Sequence, residues 1–279
     1  MESELIKSRS FSSCIKAAFN TYCTNANTIL RNTWLPALVN AMVVGLVLSS
    51  KTILGAAAFV PQLIASLLTI FTNAWLYGCL FNMLNANGLR TNLQRVFYVL
   101  LSMTAISIAF GFLIGYAAMS VTANANGSML SALAILGMYA IIMAFLLPII
   151  YSGIKYIMEK NMRLIDVFSK QYIVGLKSWG YLFMVMLLVG IVFTIVVIPA
   201  FTPVSSLMLA AANNAQGVAM GDPSGLPALF GLRLFVTASL SAFVLSYVSI
   251  WGTLAAYYAY GAIEKKNIDQ KNIIAQTQE

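Results

Sequence analysis

The side chains able to carry acid–base, nucleophilic or metal chemistry are few in this chain, and their spacing does not bring them together. Its 279 residues include no histidine, eight carboxylates and three cysteines. Metal sites need clustered His, Cys or carboxylate ligands, so no metal and no cofactor are expected. Cys14, Cys23 and Cys79 form no CxxC pair. General acid–base catalysis needs a group of suitable pKa held against a substrate. Glu159 and Asp166, seven positions apart, read instead as the solvated face of a polar helix. No Gly-rich phosphate loop, HExxH or GxSxG in its proper context occurs. No catalytic residue can be assigned, and a non-enzymatic protein is the expectation.

The remaining chemistry is that of uncharged polar groups inside apolar sequence. Asn40 and Asn73 are the candidate intramembrane positions. Either can tie helices together by hydrogen bonds worth about 0.6 kcal/mol each in membrane interiors, or line a site for a neutral solute. Small-residue stripes at Gly111 and Gly115, and at Ala41, Gly45 and Ser49, would let helix backbones approach closely.

The elements that must position these groups follow from composition. Sixty per cent of the residues are apolar and 9% are charged, where soluble domains carry roughly 25% charged residues. This excludes a soluble globular domain, a disordered chain and a disulfide scaffold. A bilayer span needs about 20 apolar residues, and the charge-free intervals divide into six: Trp34 to Ser50, Phe59 to Leu84, Val96 to Val121, Met129 to Tyr151, Trp179 to Ile198 and Leu232 to Tyr257. The fold class expected is all-α: a polytopic membrane protein of six transmembrane helices, arranged as three tandem hairpins with cytoplasmic interfacial helices. Residues 1–33 form an N-terminal arm with an amphipathic helix. Residues 34–263 form the membrane domain, with hairpins at about 34–84, 96–157 and 179–263 and an interfacial linker at 159–177. Residues 264–279 form a cytoplasmic tail. Turns are expected at Thr122–Ser128 and around Asp222, and Val204 to Ala215 reads as a short interfacial helix over the outer mouth.

Orientation follows from the basic residues. Of 16 Lys and Arg, all but Lys51 and Arg233 fall on one side of the six-span arrangement. Basic residues mark the cytoplasmic side, so both termini are expected there, in a bacterial inner membrane. The net charge of +8 is read as this topology, with no nucleic-acid partner. Lys7 to Cys14 stays polar, so the first span is expected to serve as its own insertion signal. Cysteines on a cytoplasmic, reducing side are not expected to form disulfides.

A recurring pattern precedes each outward helix, an aliphatic residue followed four positions later by Phe: Ile15/Phe19, Leu93/Phe97 and Leu164/Phe168. Each hairpin closes with a Tyr ten residues before an Asn: Tyr77/Asn87, Tyr151/Asn161 and Tyr257/Asn267. The pattern reads as three parallel units. Helical periodicity places Phe11, Ile15, Phe19, Tyr22 and Ile29 on one face of a helix from Phe11 to Arg31, and Ile165, Phe168, Tyr172 and Leu176 on one face of a second, from Glu159 to Lys177. Such helices lie in the headgroup plane, where each cation contributes about 1 kcal/mol of attraction to anionic lipid. Phe19, Phe97, Phe168, Trp34 and Trp179 are the candidate interfacial anchors.

On these motifs the chain resembles uncharacterised bacterial inner-membrane proteins built of helical hairpins with amphipathic, Phe-containing linkers. It is similar also to the membrane domain attached to some glycerophosphodiester phosphodiesterases. The resemblance implies a membrane module; with no phosphodiesterase catalytic domain in the chain, that activity is not implied. The expected role is a scaffold binding membrane lipids, or a protein partner through the interfacial helices. The alternative is a small-molecule or lipid transporter with an uncharged site between hairpins. Oligomeric state is left open.

Overall fold

A computed structural model describes residues 5–124, 129–221 and 225–277. Among them every regular element is helical: α1 (Phe11–Thr24), α2 (Ala26–Leu54), α3 (Phe59–Leu84), α4 (Leu89–Asn124), α5 (Met129–Met158), α6 (Leu164–Phe168), α7 (Lys170–Lys177), α8 (Trp179–Ala219) and α9 (Phe230–Thr277). Five of the described helices are long and apolar enough to cross a bilayer, which makes this a multi-pass membrane protein by length and composition. They are α2, α3, α4, α8 and α9; α5 adds the apolar stretch Ala144–Met158. Large apolar side chains such as Phe59, Phe112, Tyr116 and Ile195 are exposed, as lipid-facing surfaces must be, since water would not tolerate so much contiguous apolar area.

The chain forms two compact units. The first comprises Met1–Ile15, Gln94–Leu187 and Ala256–Glu279; the second comprises Lys16–Leu93 and Leu188–Ala255. In the second unit α2 ends where Gly55 turns to a left-handed φ of 57° and its N–H reaches Lys51 O. A single 3-10 turn, Gly55–Ala58, then leads into α3. Pro61 falls in the first turn of α3, where its missing N–H costs nothing. Val204, Leu234 and Ala238 form a small core with Leu48, Phe201 and Leu207 around them. Gly45 has no Cβ because Ser239 and Phe235 occupy that space, so the Ala41–Gly45–Ser49 stripe serves contact within this unit. By contrast a Cβ on Gly111 or Gly115 would meet nothing within 4 Å. The turn from α3 to α4 is closed by a reciprocal amide pair, Asn85 Nδ2 to Asn92 Oδ1 at 3.0 Å and Asn92 Nδ2 to Asn85 Oδ1 at 2.7 Å.

Several expectations need correction. The amphipathic helix does not run from Phe11 to Arg31: it breaks at Asn25, whose side chain returns to Thr21 O at 2.9 Å. Ile29 is therefore buried in α2, while Phe11 and Phe19 are exposed on α1. The linker from Glu159 to Lys177 is two short helices, interrupted at Ser169. Glu159 precedes α6, so it shares no helix face with Asp166. The segment from Val204 to Ala215 is no separate interfacial helix; α8 runs through it for 41 residues despite Pro199 and Pro203. Beside these prolines Ser241 Oγ donates to Ala200 O at 2.6 Å, tying α9 to α8. The boundary at 263/264 lies within α9, which continues to Thr277. The expected turn around Asn126 and the residue Asp222 lie outside the described residues.

Candidate functional site

The first unit gathers the charged and hydrogen-bonded groups that apolar sequence would otherwise scatter. Its framework begins with Pro148 inside α5. Proline lacks an N–H, so the carbonyl four residues earlier loses its helical donor. That carbonyl is Ala144 O, and Trp179 Nε1 donates to it at 2.9 Å. The next carbonyl, Phe145 O, accepts from the Tyr172 hydroxyl at 2.9 Å. Gly175 of α7 lies against the same proline: a Cβ there would stand 2.8 Å from Pro148 O. The interfacial segment is thus docked on the irregularity that Pro148 creates. Trp179, expected as a membrane anchor, is a donor to this site, with its ring stacked on Phe183 at 5.1 Å.

Two turns further along α5 lies a largely buried ion pair. Lys155 Nζ sits 2.8 Å from Glu264 Oε1 on α9, with side-chain exposures of 12% and 13%. The fully buried Tyr151 donates its hydroxyl to the same carboxylate. Glu159 lies 3.4 Å from Lys155 on the exposed side. Lys155 therefore does not simply extend to water, and Glu264 does not belong to a solvated tail. Arg95 of α4 then closes the end of α5. Its guanidinium donates to the carbonyls of Tyr156, Glu159, Lys160 and Met162, and stacks 4.3 Å over the Tyr156 ring. The last carbonyls of a helix have no intrahelical donors, and one planar guanidinium with five N–H groups can serve several of them.

The three Phe motifs share one pattern of burial. In each, the residue before the Phe is buried: Ala18, Val96 and Val167. The aliphatic residues Ile15, Leu93 and Leu164 are half-buried, and the positions after them, Lys16, Gln94 and Ile165, are exposed. The candidate anchors lie outside that packed position: Phe19 and Trp34 are exposed, Phe97 and Phe168 half-buried. The aromatic is the conspicuous member of each motif, but the residue that packs is the one before it. The exposed outer face of α6 and α7 carries Ile165, Ile173 and Leu176 beside exposed Lys170 and Lys177.

Asn40 and Asn73, both in the second unit, do not converge on a site. Asn40 is buried and accepts from Thr72 Oγ1 at 2.7 Å, tying α2 to α3. Asn73 donates to Thr69 O on its own helix at 2.9 Å. Among the described residues no group of three His, Cys, Asp or Glu side chains is placed to hold a metal ion.

In the first unit Tyr181 OH donates to Arg9 O at 2.8 Å and lies 3.0 Å from Cys14 Sγ. Because the phenol has one proton, the thiol must be the donor in the second contact. Burial pushes the Cys14 thiol up, against the smaller opposing pull of Arg9. The thiolate is the reactive form, so maleimide at neutral pH is expected to modify exposed Cys23 and spare Cys14. Labelling of Cys14 should then rise as the pH is raised. Equal rates for the two at neutral pH would contradict the burial of Cys14.

No family model matches the sequence, and no curated protein or solved structure matches it either.

Proposed function

We propose that this chain is a bacterial inner-membrane protein of six spans in three hairpins, with both termini cytoplasmic, that binds membrane lipid through a collar of interfacial helices and catalyses no reaction. The observation that carries the reading is the outer face of α6 and α7, where exposed Ile165, Ile173 and Leu176 alternate with exposed Lys170 and Lys177. Apolar groups entering the acyl boundary with cations at headgroup level are what an interfacial helix requires. The sixth span is α5, 30 residues long. The common burial of Ala18, Val96 and Val167 supports the three-unit arrangement, and the likeness to hairpin-built inner-membrane proteins and to phosphodiesterase-linked membrane domains points the same way. A protein partner would use the same collar face.

Extraction of the protein with its surrounding lipid should give enrichment of anionic over zwitterionic species relative to the bulk membrane. The enrichment should fall in a Lys170→Gln/Lys177→Gln variant. Absence of enrichment would defeat the lipid reading, and thiol-specific labelling that placed positions 222 and 271 on the same side would defeat the six-span topology.

The second reading is a transporter with an uncharged site in the second unit. It is favoured by Ser239 Oγ and Trp251 Nε1 on α9, both buried with no hydrogen-bond partner among the described residues. An unmet buried polar atom costs about 1–3 kcal/mol, which a neutral polar solute would recover. Solute flux into liposomes that disappears on Ser239→Ala or Trp251→Phe would establish this reading and displace the scaffold.

A further inference from the structure

A cavity of about 570 Å³ lies within the second unit, where the end of α2 meets the segment leading into α9. Its size falls in the range of small-molecule sites, roughly 300–1,000 Å³. No charged side chain lines it, and Thr52 brings the single hydroxyl to otherwise apolar walls. Gly231 lets the two walls close together at one side, since a Cβ there would stand 2.6 Å from Ile53 Cγ1. Four lining residues, Leu46, Ile53, Leu229 and Leu232, are also exposed. The cavity therefore opens sideways and is continuous with the lipid-facing surface. At its edge Leu229 has a left-handed backbone, with φ at 63°. Bulky side chains rarely adopt that conformation, and such strain gathers where ligands are held.

The depth of the cavity is fixed by α2. Lys51 is exposed and is the only charge between Arg31 and Arg90, so its ammonium marks the level at which hydrocarbon gives way to headgroups. Thr52 adjoins it, and Leu46 lies deeper by about 9 Å along the helix axis.

We propose that this cavity holds one acyl chain of a bilayer phospholipid, with the Thr52 hydroxyl donating to the ester carbonyl and the chain running from there past Ile53 to Leu46. Water is a poor occupant, because a buried water needs two to four polar partners and the lining side chains offer one. A chain leaving bilayer hydrocarbon gains nothing from the hydrophobic effect, so packing against the walls and the hydrogen bond hold it. The headgroup stays outside, and its charge is not read. The cavity lies in the other unit from α6 and α7, and does not rest on the lipid-binding reading above.

The test titrates the full chain with dioleoyl phosphatidylcholine in a steroid detergent, which has no flexible chain to compete, and counts bound lipid by native mass spectrometry. Thr52→Val keeps the side-chain shape and removes one hydrogen bond, which should weaken binding about five-fold. The dialkyl ether analogue of the same lipid lacks the carbonyl and should bind wild type weaker by the same factor. Against that analogue Thr52→Val should cause no further loss, because the interaction it removes is already absent. Leu46→Trp and Leu232→Trp fill the cavity from two sides and should each weaken binding about five-fold or more, while Leu63→Trp, on the exposed face of α3, should change it less than about two-fold. Phosphatidylglycerol with the same chains should bind as phosphatidylcholine does.

Absence of retained lipid, equal binding of ester and ether lipids to wild type, or indifference to both cavity-filling variants would overturn the proposal. If retention instead favours phosphatidylglycerol and falls in Lys170→Gln/Lys177→Gln, the lipid sits on the collar: that reading stands and the cavity proposal fails. Retention that depends on Thr52 and Leu46 without anionic enrichment keeps the cavity and removes the collar reading.

Discussion

Substitution of Glu264 by Leu is expected to destabilise the protein by about 3 kcal/mol, the lower end of the cost of removing one partner from a buried ion pair. The lower end applies because Glu159, 3.4 Å from Lys155, partly compensates the stranded ammonium. Tyr151 also loses its acceptor, since its hydroxyl donates to the same carboxylate. The multiple variant should behave differently. Replacing Lys155 by Met and Tyr151 by Phe together with Glu264→Leu removes every group left without a partner. Buried ion pairs exchanged whole for apolar residues are often neutral or stabilising, so the triple variant should recover most of the lost stability. Thermal unfolding in mild detergent would measure this. The effect should change little with added salt, because nearly buried pairs are poorly screened. Additive losses across the three substitutions would show that Lys155 and Glu264 do not interact.

Arg95→Ala should cost about 2 kcal/mol, through the loss of charge-assisted hydrogen bonds worth roughly 1.5–3 kcal/mol each. The total is well below their sum because Glu159 and Lys160 are exposed, so water can replace the guanidinium at those carbonyls. Arg95→Lys is the discriminating variant. It keeps the charge but not the planar fork that reaches several carbonyls at once or the stacking over Tyr156. Less than half of the loss should be recovered, with accelerated backbone hydrogen exchange confined to the last turn of α5 and the residues through Met162. Full recovery by lysine would reduce the role of Arg95 to charge alone.

Both effects arise at groups that one-dimensional reading passes over, and the reason is physical. Span length and apolar composition are local quantities, set by the thickness of the hydrocarbon layer. A span near Phe59 to Leu84 could therefore be placed, and α3 covers it. The sites for Trp34 and Trp179 at the openings of apolar runs were visible for the same reason, and so was the docked segment between Glu159 and Lys177. Its division at Ser169 was not, nor was the passage of α8 through two prolines. Rules learned in water stop a helix at proline because water competes for the freed carbonyls. Within a bilayer no water competes for them, so α8 continues past the missing N–H groups, with Ser241 Oγ bonded to Ala200 O beside them.

Charge behaves similarly. Counting basic residues on either side of the spans needs no partners and was available at once. Lys155 and Glu264 stand 109 residues apart, so nothing local to either marks the other. Ala144 O needs an outside donor because Pro148 follows four residues later, and that need can be written down in advance. That Trp179, 35 positions away, would be the donor depends on how α8 packs against α5. Asn40 and Asn73 show the converse: polarity inside an apolar run made both conspicuous, yet Asn40 met Thr72 and Asn73 turned to its own backbone. Apolar content and charge placement thus established a membrane protein and its candidate groups. Packing alone chose which of those groups were to meet, because a buried polar atom must find its partner in space, at whatever distance along the chain that partner lies.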